Sequence, residues 1–214
     1  MSQYVWETSQ KLVPYHDANN IMEQHVNQIY LNNAPEKIWL LEHPDVYTLG
    51  ISAKKEDIIN TKFPIIQTNR GGKVTYHGPK MRIIYIMLDL KKRKSCDVRQ
   101  YIYNLEQVII NSLQHFGLIG ERRKGRIGIW IKTSKDGEDK IAAIGVRIRK
   151  WITFHGISVN IAPDIENYNG IVPCGINNTN YGITSLAKLG INITMKQFDN
   201  IFKKEFTKIF PIIL

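Results

Sequence analysis

The sequence is short of cysteine, of acidic residues and of long apolar runs, and each shortage narrows the possible functions. Cys96 and Cys174 are the only cysteines in 214 residues. Two could make one disulfide, but nothing in the chain suggests export, so reduced thiols in a cytoplasm are expected. The longest apolar run, Ile83 to Leu88, is far too short to span a bilayer. The opening Met1-Ser2-Gln3-Tyr4-Val5-Trp6-Glu7 has no basic flank and no apolar core, so it does not read as a secretory signal. There is no Cys/His zinc spacing and no RNP-like aromatic strand. Acidic residues number 19 against 29 Lys and Arg, a net charge of +10. That excess favours acidic partners. Its clusters are Lys91-Lys92-Arg93-Lys94, Arg122-Arg123-Lys124 and Arg147 with Arg149-Lys150. Each could be a plain solvated surface; without a nucleic-acid motif, an acidic protein ranks above nucleic acid.

What the chain does have is a glycine-rich stretch, Asn69-Arg70-Gly71-Gly72-Lys73-Val74-Thr75-Tyr76-His77-Gly78-Pro79, running into the apolar Arg82 to Leu88. It reads as a loop entering a buried strand. Paired glycines allow close backbone approach to a ligand. A phosphate-cradling P-loop would need Gly-Lys-Ser/Thr at the start of a helix, and neither is present. A tight turn between strands is the bland alternative. The Arg, Lys, Thr, Tyr and His beside the glycines suit an amphipathic ligand with a polar head and an apolar body.

Around this stretch, strands are expected over 4–13, 38–41, 82–88, 127–131, 140–149 and 152–161. Asp17 is expected to cap a helix over 18–31 with Ile21, His25 and Ile29 on one face. Asp97 should cap a second helix whose stripe Val98, Ile102, Leu105, Ile109, Leu113 and Phe116 is core, with Gly117 as its stop. Thr133 to Asp139 reads as a polar hairpin, Asp164 to Ile171 as a loop and Thr184 to Leu189 as a short helix. Thr194 caps a last helix with Phe198, Ile201, Phe202 and Ile209 inward. Both faces of 82–88 are apolar, so it should be covered on both sides. Strands outnumber helices without regular alternation, which predicts an α+β fold, here one domain over 1–214.

Two residue types could carry chemistry. Cys174 sits between Pro173 and Gly175, in a loop with little bulk to bury it. A nucleophilic cysteine needs a base or cation, because the thiolate is the reactive form. His77 and His155 are available as bases or as pocket walls. Lys140 opens a strand in which Ala142, Ile144, Val146 and Ile148 share its face, so desolvation would lower its pKa. The plain alternative is a strand-end lysine that snorkels. Three histidines, His43, His77 and His155, lack metal-ligand spacing, so no metal is expected.

Four segments in order resemble one family: Leu41-Glu42-His43-Pro44 to Gly50; Arg70 to Pro79; Lys140 to Arg147 continuing through Thr153-Phe154-His155-Gly156-Ile157-Ser158-Val159-Asn160; and Ile171-Val172-Pro173-Cys174-Gly175-Ile176 with Gly182-Ile183-Thr184-Ser185-Leu186. Over roughly residues 35–190 the chain is similar to the lipoyl(octanoyl) transferases. Members usually continue the second segment as Gly-Pro-Gly-Gln, whereas this chain has Gly78-Pro79-Lys80-Met81. The turn into the strand is therefore expected to change.

The resemblance implies the fold of lipoate and biotin ligases, a mixed, largely antiparallel β-sheet core flanked by α-helices. It implies Cys174 as the acyl-thioester nucleophile and Lys140 as the group that lowers its pKa. It assigns Arg70, Gly71, Gly72, Lys73, Val74, Thr75, Tyr76, His77, Ala143, Ile144, Gly145, Gly156, Ile157 and Ser158 to the acyl site, with no metal and no cofactor. The donor would be octanoyl-acyl carrier protein. The acceptors would be lipoyl domains of 2-oxoacid dehydrogenase complexes and the glycine cleavage H protein. The enzyme would be a cytoplasmic monomer touching neither nucleic acid nor membrane, with Arg70, Lys73, Arg147 and Arg149 meeting its acidic partners. The competing readings are an ATP-dependent lipoate–protein or biotin–protein ligase, which has no need of Cys174, an inactive acyl-domain binding module, and a basic nucleic-acid-binding protein.

Overall fold

A computed structural model describes residues 4–60, 62–133, 137–172 and 181–212. The chain order is β1 (Val5–Thr8), α1 (Tyr15–Tyr30), β2 (Lys37–Leu41), β3 (Val46–Leu49), β4 (Ile65–Gln67), β5 (Val74–His77) and β6 (Met81–Met87). Then follow α2 (Val98–Gln114), β7 (Glu121–Arg123), β8 (Arg126–Lys132), β9 (Glu138–Arg149), β10 (Ile152–Asn160), β11 (Tyr181–Ile183) and α3 (Met195–Ile209). Among the described residues the large sheet has the order β1-β2-β6-β10-β9-β8-β7, with β11 paired to β9; β4-β3-β5 form a small second sheet. Among the described residues only β1–β2, β3–β4 and β9–β11 pair in parallel. The fold is thus α+β with a mixed, largely antiparallel sheet, as the sequence predicts.

Strand alternation divides the core in two. Ile84 and Ile86 of β6, with Leu88 just after it, face one layer, built with Leu105, Ile109 and Leu113 of α2 and Phe198, Phe202 and Phe206 of α3. Ile83, Tyr85 and Met87 face the other, with Ala18, Met22 and Val26 of α1 and Tyr47, Val74 and Tyr76 of the small sheet. Every residue of β6 is buried, so the central strand is covered on both sides.

Asp97 caps α2 by accepting from the N–H groups of Arg99 and Gln100. Thr194 and Gln197 form a capping box at α3. Several expectations are corrected. The first strand stops at Thr8. Helix α1 starts at Tyr15 after Pro14, whose ring presets a compatible φ, so Asp17 lies in the first turn and caps nothing. Its buried face is Tyr15, Ala18, Met22, Val26 and Ile29, and Ile21 is 43% exposed. On α2, Val98 is exposed. On α3, Ile201 and Ile209 are only partly buried, and Phe206 supplies the core contact instead. Residues 165–170 and 187–189 are 3-10 turns. The last four residues of the glycine stretch before Gly78 are strand β5, in the small sheet. Positions 134–136 of the expected hairpin lie outside the described residues.

The turn before β6 forms here with lysine where the family usually has glycine. Lys80 itself takes the left-handed conformation, at φ 64°. Its N–H donates to the Glu42 carboxylate at 2.7 Å, and its carbonyl accepts from Ala162 at 3.0 Å. Lys80→Gly is expected to raise stability by about 1 kcal/mol, since the left-handed region costs a side-chain-bearing residue ~1–2 kcal/mol; urea unfolding checks it.

Sheet and α3 are also joined by a buried bidentate pair, Arg82 Nε to Asp199 Oδ1 at 2.8 Å and Nη2 to Oδ2 at 3.1 Å. Burial raises the Asp199 pKa, and Arg82 opposes that. Arg82→Met strands a buried carboxylate and should cost about 3–5 kcal/mol. Arg82→Met with Asp199→Leu should recover most of that loss, measured by denaturant midpoints.

Candidate active site

The site forms where β9 changes partners. Pairing of β8 with β9 runs from Lys132–Glu138 to Ile129–Ala142 and ends, with a register irregularity at Ile129/Trp130. Beyond it the glycine loop takes over: the Gly71 N–H donates to the Val146 carbonyl at 3.0 Å. A Cβ on Gly145 would lie 3.0 Å from the Gly71 carbonyl oxygen. Arg70 braces the loop from behind. Its guanidinium is buried and donates to the Thr48 carbonyl at 2.7 Å, the Thr48 hydroxyl at 2.8 Å and the Gly71 carbonyl at 3.0 Å.

Between loop, β9, β10 and α2 lies a cavity of about 760 Å³. It brings together thirteen of the fourteen expected acyl-site residues: Arg70, Gly71, Gly72, Lys73, Val74, Thr75, His77, Ala143, Ile144, Gly145, Gly156, Ile157 and Ser158. Tyr76 is the exception. It turns to the other side of β5, where its hydroxyl donates to Asp45 and accepts from Asn167 at 3.0 Å. Lys140 is on the same wall, 5% exposed, with Nζ 5.1 Å from the Trp130 ring centroid. The irregularity in the β8–β9 pairing breaks the expected strict alternation and lets Lys140 share the cavity with Ala143. On the other side β11 pairs with β9, with Ile183 opposite Lys140. Cys174 lies outside the described residues.

Sequence reasoning missed Tyr15, Tyr85, Ile102, Arg126, Ile127, Trp130 and Tyr181 as walls. Ile102 was the misleading one: its place in the apolar stripe of α2 reads as core, yet it faces the cavity. Nothing local marks Tyr15, which α1 delivers from a distant part of the chain.

One end of the cavity is closed by a buried aromatic cluster. His77 stacks on Tyr15 at 6.2 Å, and Tyr85 meets His155 edge-on at 6.0 Å. Behind them, His43 shares hydrogen bonds with the Val13 carbonyl at 2.6 Å and the Tyr85 hydroxyl at 2.8 Å. Both ring nitrogens of His155 and Nδ1 of His77 are buried without a hydrogen-bond partner among the described residues. His155 also holds a left-handed backbone, φ 59°, inside a strand. Such strain concentrates at functional sites. No three His, Cys, Asp or Glu side chains converge as metal ligands among the described residues.

Burial keeps these imidazoles neutral. Desolvation pushes His43 down to about 4; desolvation, then Arg70 and Arg147, pushes His155 down to about 3. His77 lies well below 6.5 through desolvation, then His43, Arg70 and His155. Unfolded histidines titrate near pH 6.5, so between there and about 4 the unfolded chain binds protons that the folded chain refuses. Stability should therefore rise with pH across this window, by up to about 1.4 kcal/mol per unit for each histidine. Urea unfolding between pH 5 and 7 checks it, and His43→Gln should show a shallower slope than the parent.

Comparison with known proteins adds a family. The model of the lipoyl protein ligase A/B catalytic domain matches residues 14–207. The octanoyltransferase of Wolbachia pipientis wMel is 51% identical over 205 residues, covering 96% of this chain and 98% of the relative. That of Rhodopseudomonas palustris strain BisA53 is 48% identical over 209 residues, covering 96% and 89%. Among solved structures, the bipartite lipoate protein ligase of Thermoplasma acidophilum matches with a TM-score of 0.70 at 13% identity, covering 98% of this chain and 84% of that one. At that identity the likeness concerns the fold.

Proposed function

The chain belongs to the lipoyl protein ligase A/B catalytic domain family, and we propose that within it this protein is an octanoyltransferase of lipoate biosynthesis. It moves an octanoyl group from octanoyl-acyl carrier protein to a lysine of lipoyl domains. The observation that carries this reading is the placement of Lys140, a buried amine on the wall of a cavity otherwise lined largely by apolar side chains and bare backbone. The names of relatives near 50% identity support it.

Two acyl transfers follow. The Cys174 thiol gives its proton to the Lys140 amine, and the thiolate attacks the thioester carbonyl of the donor. The tetrahedral oxyanion collapses, the carbon–sulfur bond to the carrier breaks, and the Lys140 ammonium returns the proton to the departing thiolate. The lysine amine of the acceptor then attacks octanoyl-Cys174; an amide forms, and the cysteine sulfur is released with the amine's proton. The thioester remains activated between the two steps, so ATP is not required. Backbone N–H groups are suited to the oxyanion, and Gly145 holds bare backbone on the cavity wall.

The +10 charge would steer acidic carrier and acceptor proteins to the mouth. Of the four cations first considered, Arg70 is buried in loop contacts and Arg149 is held by Glu23 at 2.8 Å and Asn27 at 2.9 Å. Arg147 lies 3.9 Å from the same Glu23 carboxylate, so of the four Lys73, half-buried on the glycine loop, is the best placed to meet a partner. No helix among the described residues is long and apolar enough to cross a membrane, and we place the enzyme in the cytoplasm as a monomer.

Mixing the protein with octanoyl-acyl carrier protein without ATP, followed by intact mass spectrometry, tests this reading. One octanoyl adduct is expected, absent from Cys174→Ser and at least about a hundredfold slower to form in Lys140→Ala, the usual scale for losing a proton-transfer group. Lipoyl-domain modification that instead needs ATP and free acid would make the protein a ligase. No adduct under either condition would leave a binding module.

A further inference from the structure

We infer that the main chain of Ile144 is a docking rung for the donor's pantetheine arm, holding its β-alanyl unit as a short added strand on the edge of β9. This placement rests on the octanoyl-transfer reading and assigns where the carrier's arm lies.

Hairpin geometry fixes which way the peptide groups of β9 point. Lys150 and Trp151 form its two-residue turn into β10, both left-handed, at φ 52° and 66°. In such a turn the flanking residues, here Arg149 and Ile152, exchange hydrogen bonds. Alternation then turns the N–H and C=O of Arg147, Gly145 and Ala143 toward β10, and those of Val146, Ile144 and Ala142 toward the opposite edge. The Val146 carbonyl agrees, because on that edge it accepts from the Gly71 N–H. Ala142 is paired there too, with Ile129 of β8. Ile144 lies between these two contacts, and among the described residues nothing pairs with its N–H or C=O on that edge. One rung of the ladder is missing, in about 13 Å of strand edge.

The cavity occupies that gap. Ile83 and Tyr85 line it from the α1-side layer and Ile157 from the α2-side layer, so it passes around the edge of β9. Its exposed lining residues are Gly72 on the loop and Gly125 and Ile127 at the start of β8. The mouth therefore opens directly outside the missing rung. The other end is closed by the buried aromatic cluster. An acyl tail can end there. The arm leads back to a protein in solvent, so it has to leave past Ile144.

The arm carries the matching groups. A carrier bears its acyl group on the sulfur of a cysteamine unit, which an amide joins to β-alanine; a second amide follows at the β-alanyl nitrogen. The β-alanyl unit thus offers a C=O and an N–H across a short methylene link, much as a strand residue offers them across its Cα. Its carbonyl accepts from the Ile144 N–H, and its N–H donates to the Ile144 carbonyl. The reach agrees. The departing sulfur takes its proton from Lys140. A Cβ on Gly128 would stand 3.2 Å from Lys140 Nζ and 2.6 Å from the Ala142 carbonyl oxygen, so the amine sits near the Ala142 level of β9. Ile144 is two residues further, about 7 Å along the strand. In extended chain the β-alanyl carbonyl and nitrogen lie about 5 and 8 Å from the sulfur, and Ile144 falls between them.

Two measurements on the unaltered protein test this. Octanoyl-acyl carrier protein is prepared with its natural arm and with an arm whose β-alanyl N–H is replaced by an ester oxygen, and acyl-enzyme formation is followed by intact mass. The ester arm is expected to load about tenfold more slowly at limiting carrier, the scale of leaving the Ile144 carbonyl unpaired. Amide hydrogen exchange, resolved by residue, reads the other half of the rung. An unreactive donor analogue, with N–H in place of the thioester sulfur and the natural arm beyond it, should slow exchange at Ile144 by about tenfold or more. Octanamide alone, at saturation, should leave that rate unchanged. Equal loading by the two arms overturns the inference. So does an Ile144 amide that the analogue leaves unprotected, or that octanamide alone protects. If the natural carrier loads no octanoyl group, the transferase reading fails instead, a distinct outcome, and exchange at Ile144 still decides whether this edge takes the arm.

Discussion

The site depends on a contact between two stretches of backbone with no side chain between them. Where β8 stops pairing with β9, the Arg70-Gly71-Gly72 loop completes that edge through the Gly71 N–H and the Val146 carbonyl. Gly145 admits the approach because its missing Cβ would stand 3.0 Å from the Gly71 oxygen. Arg70 adds three hydrogen bonds that tie the loop to Thr48 and to its own backbone. The glycines thus serve first to join two chain segments; the cavity is the space that this junction encloses. A Cβ at 145 would press on the Gly71 carbonyl, which would have to give by a few tenths of an ångström.

Placement of the small sheet explains why so many site residues are buried without belonging to the main core. β5 carries Val74 and Tyr76 into the α1-side layer, while Thr75, His77 and also Val74 line the cavity. One short strand therefore packs and presents at once. The same division holds on β6, whose Ile83 and Tyr85 both pack in that layer and form the cavity floor. Site geometry here is inherited from core packing, a more precise support than a free loop would give.

The legible parts of the fold were those with local signals. Asp97 and Thr194 announce their helices, and the continuous apolar run of 82–88 announces a strand covered on both faces. The cavity residues were legible because they occur in short, ordered motifs: Arg70 to His77, Ala143 to Gly145, and Gly156 to Ser158 converge on one space. What could not be read was set by distant chain segments. The Tyr76 side chain turns toward Asp45 and Asn167, a direction that membership of the motif does not specify. Ile21 appeared inward by spacing, but Pro14 starts α1 three residues before the expected cap and Met22 and Val26 take the buried face. Lys80 carries a conformation that its side chain opposes, fixed by Glu42 and Ala162 rather than by its own preference. The unpaired nitrogens of His155 depend on three strands and a helix meeting, and no short pattern encodes them.

The charge excess looks different once its partners are known. Acidic residues are few, and several of them are committed inside: Glu36 to Arg93, Glu106 to Arg122, Asp199 to Arg82, and Glu138 to both Arg123 and Arg126. The arginines in the sequence clusters are therefore largely structural, bracing strand ends and helices. The cations left at the surface are mostly lysines, whose flexible, hydrated ammonium groups make weak individual contacts. A field built this way comes from the sum of many charges, falls off over a Debye length of about 8 Å at physiological salt, and orients an acidic partner without fixing it. Under the proposed transfer from one carrier protein to another, such attraction would raise the encounter rate and leave recognition to the chain that enters the cavity.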